Sequence, residues 1–110
     1  MKINEEKMDK LLLELGHDDF NRGTSYIRLA VAMYEPGMAL YKELYPAVAK
    51  AVGSTASRVE RCMRHSIGKA WLRGSTDAQR QYFAFSIDPA SGWPTAGEYI
   101  ARIARICREN

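Results

Sequence analysis

The chain has 110 residues, 46% of them hydrophobic and 26% charged, with a formal net charge of +3. That length suits one compact domain, here residues 1–110, large enough to bury a core without metal or disulfide staples. No apolar run approaches the roughly 18–20 residues that span a bilayer, and the charged start MKINEEKMDK lacks the apolar centre of a signal peptide; a cytoplasmic protein with no membrane partner is expected.

Residues 4–15 (NEEKMDKLLLEL) read as a helix, with Met8, Leu11, Leu12 and Leu15 on one face, Asn4 as cap, acids in the first turn and Gly16 as stop. HDDFNRG is expected to be a loop that contains His17 and the carboxylate pair Asp18 and Asp19. A second helix is expected from about Thr24 to Glu35, with Tyr26, Leu29, Ala30 and Met33 as its buried stripe and Ile27, Val31 and Tyr34 widening it. Pro36 ends it, because proline biases the residue before it away from helical ψ. A third helix, roughly 38–52, has Tyr41, Leu44, Tyr45, Val48, Ala49 and Val52 in register. Pro46 falls inside it and should give either a kink or a fresh start with the proline near the first helical position. Gly53 then permits a tight turn.

The stretch Ser54 to Gly74, STASRVERCMRHSIGKAWLRG, reads as one long helix with two faces. At about 100° per residue, Ala56, Val59, Met63, Ile67 and Ala70 fall together, with Cys62 and Ser66 beside them; that spacing marks a helix packed on a core. Ser57, Arg58, Arg61, Arg64, His65 and Gly68 fall on the opposite side, with Glu60 on the shoulder one turn before Arg64. Ser54 or Thr55 can cap the start. A solvated face is the plain alternative, since surface helices carry basic residues for solubility. The charges here are unbalanced, however: residues 55–74 hold Arg58, Arg61, Arg64, Lys69 and Arg73 against the single acid Glu60. The outward cations are arginines, whose planar fork suits guanine edges and phosphates. A short helix of small residues, a glycine turn and then a basic helix is also the helix-turn-helix order, in which the second helix enters the major groove. These residues leave two readings open, a face that binds nucleic acid such as double-stranded DNA and a solvated face on an ordinary αα-hairpin. Gly68, inside the helix, should cost about 1 kcal/mol and is read as tolerated rather than as a point of close approach to a phosphate.

A short fifth helix, about 76–84, follows Ser75, with Tyr82, Phe83 and Phe85 supplying bulk. Residues 86–94 form a loop. Thr95 and Glu98 make a capping box, in which hydroxyl and carboxylate each satisfy a free N–H. It opens the last helix, 96–108, with Tyr99, Ile100, Ile103, Ala104 and Cys107 buried. The fold class is all-α, a compact bundle of about six helices with a helix-turn-helix in the third and fourth.

Catalytic constellations are hard to find. His65 has no outward nucleophile beside it, because Ser66 and Cys62 turn to the core. Asp18 and Asp19 are expected only to cap or solvate. No phosphate-binding glycine loop or H-E-x-x-H run occurs, and no Cys–His cluster has zinc spacing. No enzyme activity, cofactor or metal is expected, and Cys62 and Cys107 read as two reduced core thiols.

The run T-A-S-R-V-E-R-x-x-R-H-x-I-x-x-A-W at 55–71 closely resembles the recognition helix of the stage-zero sporulation protein A family, response regulators that commit bacteria to sporulation. L-Y-P-x-x-A-K at 44–50 is similar to that family's preceding helix, LLLELG at 11–16 to its first effector-domain helix, RG-x-x-Y-I-R-x-A at 22–30 to its second, and the start of the last helix at 94–100 to its sixth. The resemblance implies a six-helix DNA-binding effector domain that binds tandem boxes of TGTCGAA type as head-to-tail dimers, regulates transcription and meets RNA polymerase through a sigma subunit. Carried over position by position, it implies that Glu60, Arg61, Arg64 and His65 read bases and that Ser57 and Arg58 meet the backbone. Arg can fork onto guanine and Glu can accept from cytosine.

The family's receiver domain, with its phosphoacceptor aspartate, has no counterpart in these 110 residues. That leaves a piece of a longer regulator or a free-standing paralogue that phosphorylation cannot switch; the Met1 start and polar lead-in favour the second. The fifth helix and the loop after it, where the family meets RNA polymerase, match poorly, so DNA binding is expected more firmly than activation. The competing expectation is a receiver-less protein-interaction module that antagonises a full-length regulator.

Overall fold

The structure is a computed structural model that describes residues 2–17, 21–83, 87 and 92–108. The capping residues set most helix boundaries. Helix α1 (Glu5–Glu14) starts where the Asn4 side chain accepts the Lys7 N–H at 3.0 Å. It ends where Gly16, at φ +106°, lets the Gly16 and His17 amides reach back to the Leu13 and Leu12 carbonyls. Helix α2 (Arg22–Met33) begins two residues before the expected Thr24, because the Asn21 carboxamide accepts the Thr24 N–H at 2.9 Å and so acts as the cap. Arg22 and Gly23 thus belong to the helix and not to the loop. The stripe of α2 is also rotated from the expected one: Ile27, Ala30 and Val31 are fully buried, while Leu29 and Met33 are half-buried.

The expected third helix is two pieces. Leu40–Leu44 winds as a π-helical turn, and α3 (Tyr45–Val52) starts afresh with Pro46 in its first turn. Pro46 has no N–H for the carbonyl four residues back. The wider π turn also breaks the 3.6-residue register, which is why Tyr41, expected on the buried face, stands 71% exposed while Leu44 and Tyr45 are buried. Gly53, left-handed at φ +68°, ends α3, and only Gly53, Ser54 and Thr55 separate it from α4 (Ala56–Arg73). Thr55 is the cap, its hydroxyl accepting the Arg58 N–H at 3.2 Å. Helices α5 (Thr76–Phe83) and α6 (Ala96–Cys107) complete six α-helices among the described residues. The Thr95 hydroxyl accepts the Glu98 N–H as expected. The Glu98 carboxylate, however, accepts a hydrogen bond from that same hydroxyl at 2.9 Å, and among the described residues the Thr95 N–H does not donate to it. Phe85, Asp18, Asp19 and most of the 86–94 loop lie outside the described residues.

The core gathers α1, α2, α3, α4 and α6 around Leu12, Ile27, Leu44, Met63, Ile67, Tyr99 and Ile103, each at most 1% exposed. Asn4 N–H donates to the Cys107 carbonyl at 2.8 Å, and an isolated bridge joins Ile3 to Arg108, so the two ends of the described chain are pinned together. Arg28 forks onto Asp9 at 2.7 and 3.2 Å and ties α2 to α1.

His17, expected in an open loop, is 1% exposed. Its Nε2 lies 2.7 Å from the Tyr99 hydroxyl of α6, and its Nδ1 lies 3.1 Å from the Thr24 hydroxyl of α2. That hydroxyl lies 3.2 Å from the Ser66 hydroxyl of α4. Four buried polar side chains thereby satisfy one another across three helices, which removes the roughly 1–3 kcal/mol that an unpaired buried polar group costs. Cys107 is buried as expected, but Cys62 is only half-buried, because it lies at the edge of the α2–α4 contact; both are free thiols.

Candidate nucleic-acid interface

Helix α4 separates its two faces as its sequence dictates. Val59, Met63, Ile67 and Ala70 are at most 1% exposed, while Ser57, Arg58, Arg61, Arg64 and His65 are all exposed on the outer side. Packing therefore brings five of the six expected site residues onto one open face. The sixth, Glu60, is half-buried on the shoulder and forms an i,i+4 ion pair with Arg64, 3.5 Å from its Nε. Such a pair is worth only a few tenths of a kcal/mol, so it orients Arg64 without locking it away from a ligand.

Arg58 and Arg61 form no ion pair among the described residues. Nothing in the fold requires them, and they project from a helix held rigidly along its other side. Arg73, by contrast, donates from Nε to the Gly16 carbonyl at 3.2 Å, so it helps fasten the end of α4 to the α1 stop.

Gly68 does not belong to the outward stripe. It is buried, and a Cβ there would meet the Trp93 ring at 3.1 Å. The glycine makes room for an indole that comes from 25 residues along the chain, which helical periodicity alone could not reveal. Beyond it, Leu72 at the far end of α4 is 82% exposed and faces a groove of about 1230 Å3, whose apolar wall includes Tyr34, Leu40, Tyr41 and Trp93. Sequence reasoning missed this groove, since its wall is assembled from α2, the π turn, α4 and the start of α6.

The Tyr45 hydroxyl, beneath the Glu60 shoulder, is pushed well above its usual range, first by burial and then by Tyr41 and Glu60. Chemically, the face offers forked cations, one imidazole, one carboxylate and the Ser57 hydroxyl, while Ser66 is buried and Cys62 half-buried beside it; such groups can hydrogen-bond phosphates and base edges. Among the described residues, no His, Cys, Asp and Glu side chains gather into a metal site, and no helix is long and apolar enough to cross a membrane.

The family model described as "Sporulation initiation factor Spo0A C terminal" matches residues 8–106, a span that contains all of the α4 face, the whole of α2, α3, α4 and α5, and most of α1 and α6. That is a family of DNA-binding effector domains of the sporulation response regulator, and the chain belongs to it.

Proposed function

We propose that the protein is a cytoplasmic, sequence-specific transcription regulator in which α3 and α4 act as a helix-turn-helix and α4 reads TGTCGAA-type boxes in the major groove. In this reading Arg61 and Arg64 fork onto guanines, Glu60 accepts from cytosine, His65 reaches a neighbouring base edge, and Ser57 and Arg58 meet the backbone. Tandem boxes are bound by head-to-tail pairs of the domain, and a polymerase sigma subunit is the further partner. The observation that carries the reading is Arg61: it is exposed at the centre of the outer face, has no ion pair among the described residues, and sits on a helix whose buried side fixes its direction. The test is binding to boxed and scrambled duplexes over a range of salt. Preference for the box, with an affinity falling as salt rises by a log–log slope of about −0.9 per phosphate contacted, is the expected result. Light scattering should find pairing only on tandem boxes, because a single domain offers limited surface for a free dimer.

A second reading has one observation in its favour, the apolar groove beside Leu72. A protein-interaction module that antagonises a full-length regulator would use such a groove, bind partners with little salt dependence, and show no preference for the box.

A further inference from the structure

On the shoulder of α4 opposite Glu60 and Arg64, the start of α2 and the outer face of α4 enclose a concavity of about 240 Å3. Four of the side chains that line it are basic types: Arg22 from α2, and Arg61, His65 and Lys69 from α4. Among the described residues, no carboxylate lines it. All four are exposed, and none makes an ion pair among the described residues. Unbalanced cations held together repel one another and are ordinarily relieved by an anion.

The concavity is built by close packing and not by chance proximity of long side chains. Gly23, next to Arg22, lies so near α4 that a Cβ there would sit 2.5 Å from the Cys62 carbonyl oxygen and 2.6 Å from Ser66 Cβ. The absence of that Cβ lets the first turn of α2 rest on the middle of α4 and brings Arg22 beside His65 and Lys69. With Arg61 as the centre of the outer face, Arg64 lies about 60° to one side and Lys69 about 80° to the other. A helix lying in a major groove has a phosphate backbone along each flank. With α4 in such a groove, its α3 side would face one backbone and its Arg22 side the other.

We propose that this concavity seats a backbone phosphate of the bound duplex, with Arg22 and Lys69 as its principal cations, so that α2 and the helix-turn-helix clamp opposite strands. The inference rests on the DNA-binding reading above and adds α2 to the interface. A phosphate diester and a free phosphate share the required chemistry, and the experiment separates them.

Arg22 is replaced by Ala, with Arg22→Lys as the charge-keeping control, and both are measured on boxed and scrambled duplexes. One lost phosphate contact removes about 0.9 from the salt slope; at 0.1 M, one decade below 1 M salt, that is about an 8-fold loss of affinity. The loss should be equal on both duplexes, should be largely restored in Arg22→Lys, and should leave the melting temperature unchanged. A scan of single methylphosphonates through the flank should find one position that weakens the natural protein and has no effect on Arg22→Ala. If Arg22→Ala binds both duplexes with unchanged affinity and slope while Arg61→Ala still lowers the box-to-random ratio, the seat is wrong and the reading of α4 stands. If neither substitution matters, both fall. Inorganic phosphate that saturates the amide shifts of Arg22, Gly23 and Lys69 in the free protein, with DNA affinity indifferent to Arg22→Ala, would assign the concavity to a free anion and overturn the DNA seat.

Discussion

Replacing Arg61 with Ala is the perturbation that bears most directly on α4 as a reading head. The side chain is exposed and has no ion pair among the described residues, so its removal strands no buried partner and should change stability by less than about 0.5 kcal/mol. The whole effect should then appear in binding. A bidentate guanine contact discriminates by about 1–3 kcal/mol, which is roughly a 5- to 150-fold loss on the cognate box at 1.4 kcal/mol per decade. Scrambled DNA, which lacks the matched guanine, should lose much less. Arg64→Ala should differ, because it releases Glu60, whose side chain is only 19% exposed, from the one ion pair it makes among the described residues. The uncompensated Glu60 charge would then repel any polyanionic duplex, so scrambled DNA should also weaken and the box-to-random ratio should fall less than for Arg61→Ala. Fluorescence anisotropy on labelled TGTCGAA-type and scrambled duplexes at a fixed salt concentration measures both ratios, with circular dichroism melts alongside. If Arg61→Ala leaves the box-to-random ratio unchanged in a protein that melts normally, the reasoning is refuted.

Gly23→Ala should destabilise the domain by about 1–3 kcal/mol despite the better helix propensity of alanine, because its Cβ would meet the Cys62 backbone oxygen at 2.5 Å; a normal thermal melt would sink the close-packing argument. Tyr99→Phe removes the partner of His17 Nε2 and should cost about 1–3 kcal/mol by chemical denaturation. Burial pushes the Tyr99 hydroxyl far above its ordinary pKa of 10.0. The folded state therefore favours the protonated phenol, and this contribution to stability is complete below pH 10 and lost as pH rises above it. The natural protein should accordingly weaken above pH 10 more steeply than Tyr99→Phe, and parallel curves would contradict this. Cys107 is buried and its thiol is pushed up by desolvation, against a smaller lowering by Lys7. Mass spectrometry after brief alkylation of the native protein should find Cys62 labelled and Cys107 untouched until denaturant is added; equal labelling would contradict the burial.

Much of the fold is legible in local sequence because its causes are local. The two faces of α4 follow from side chains at fixed angular steps, and its start from the Thr55 hydroxyl one turn before Arg58. The buried face of α6 follows in the same way, and the i,i+4 spacing of Glu60 and Arg64 already places them as neighbours. The outward-facing residues of α4 were readable for that reason, since a periodicity that identifies the inside of a helix identifies its outside as well.

What the tertiary structure alone decided involves partners far apart in the chain or a break in periodicity. Gly68 lies beneath Trp93, and His17 meets Tyr99 at a separation of 82 residues. Tyr41 turns outward because five residues wind as a π turn before a proline. Arg22 reaches the flank of α4 only because Gly23 lets two helix backbones touch. Periodicity fixes the direction of a side chain relative to its own helix axis, whereas these features depend on where a second axis crosses the first, and that is set by packing.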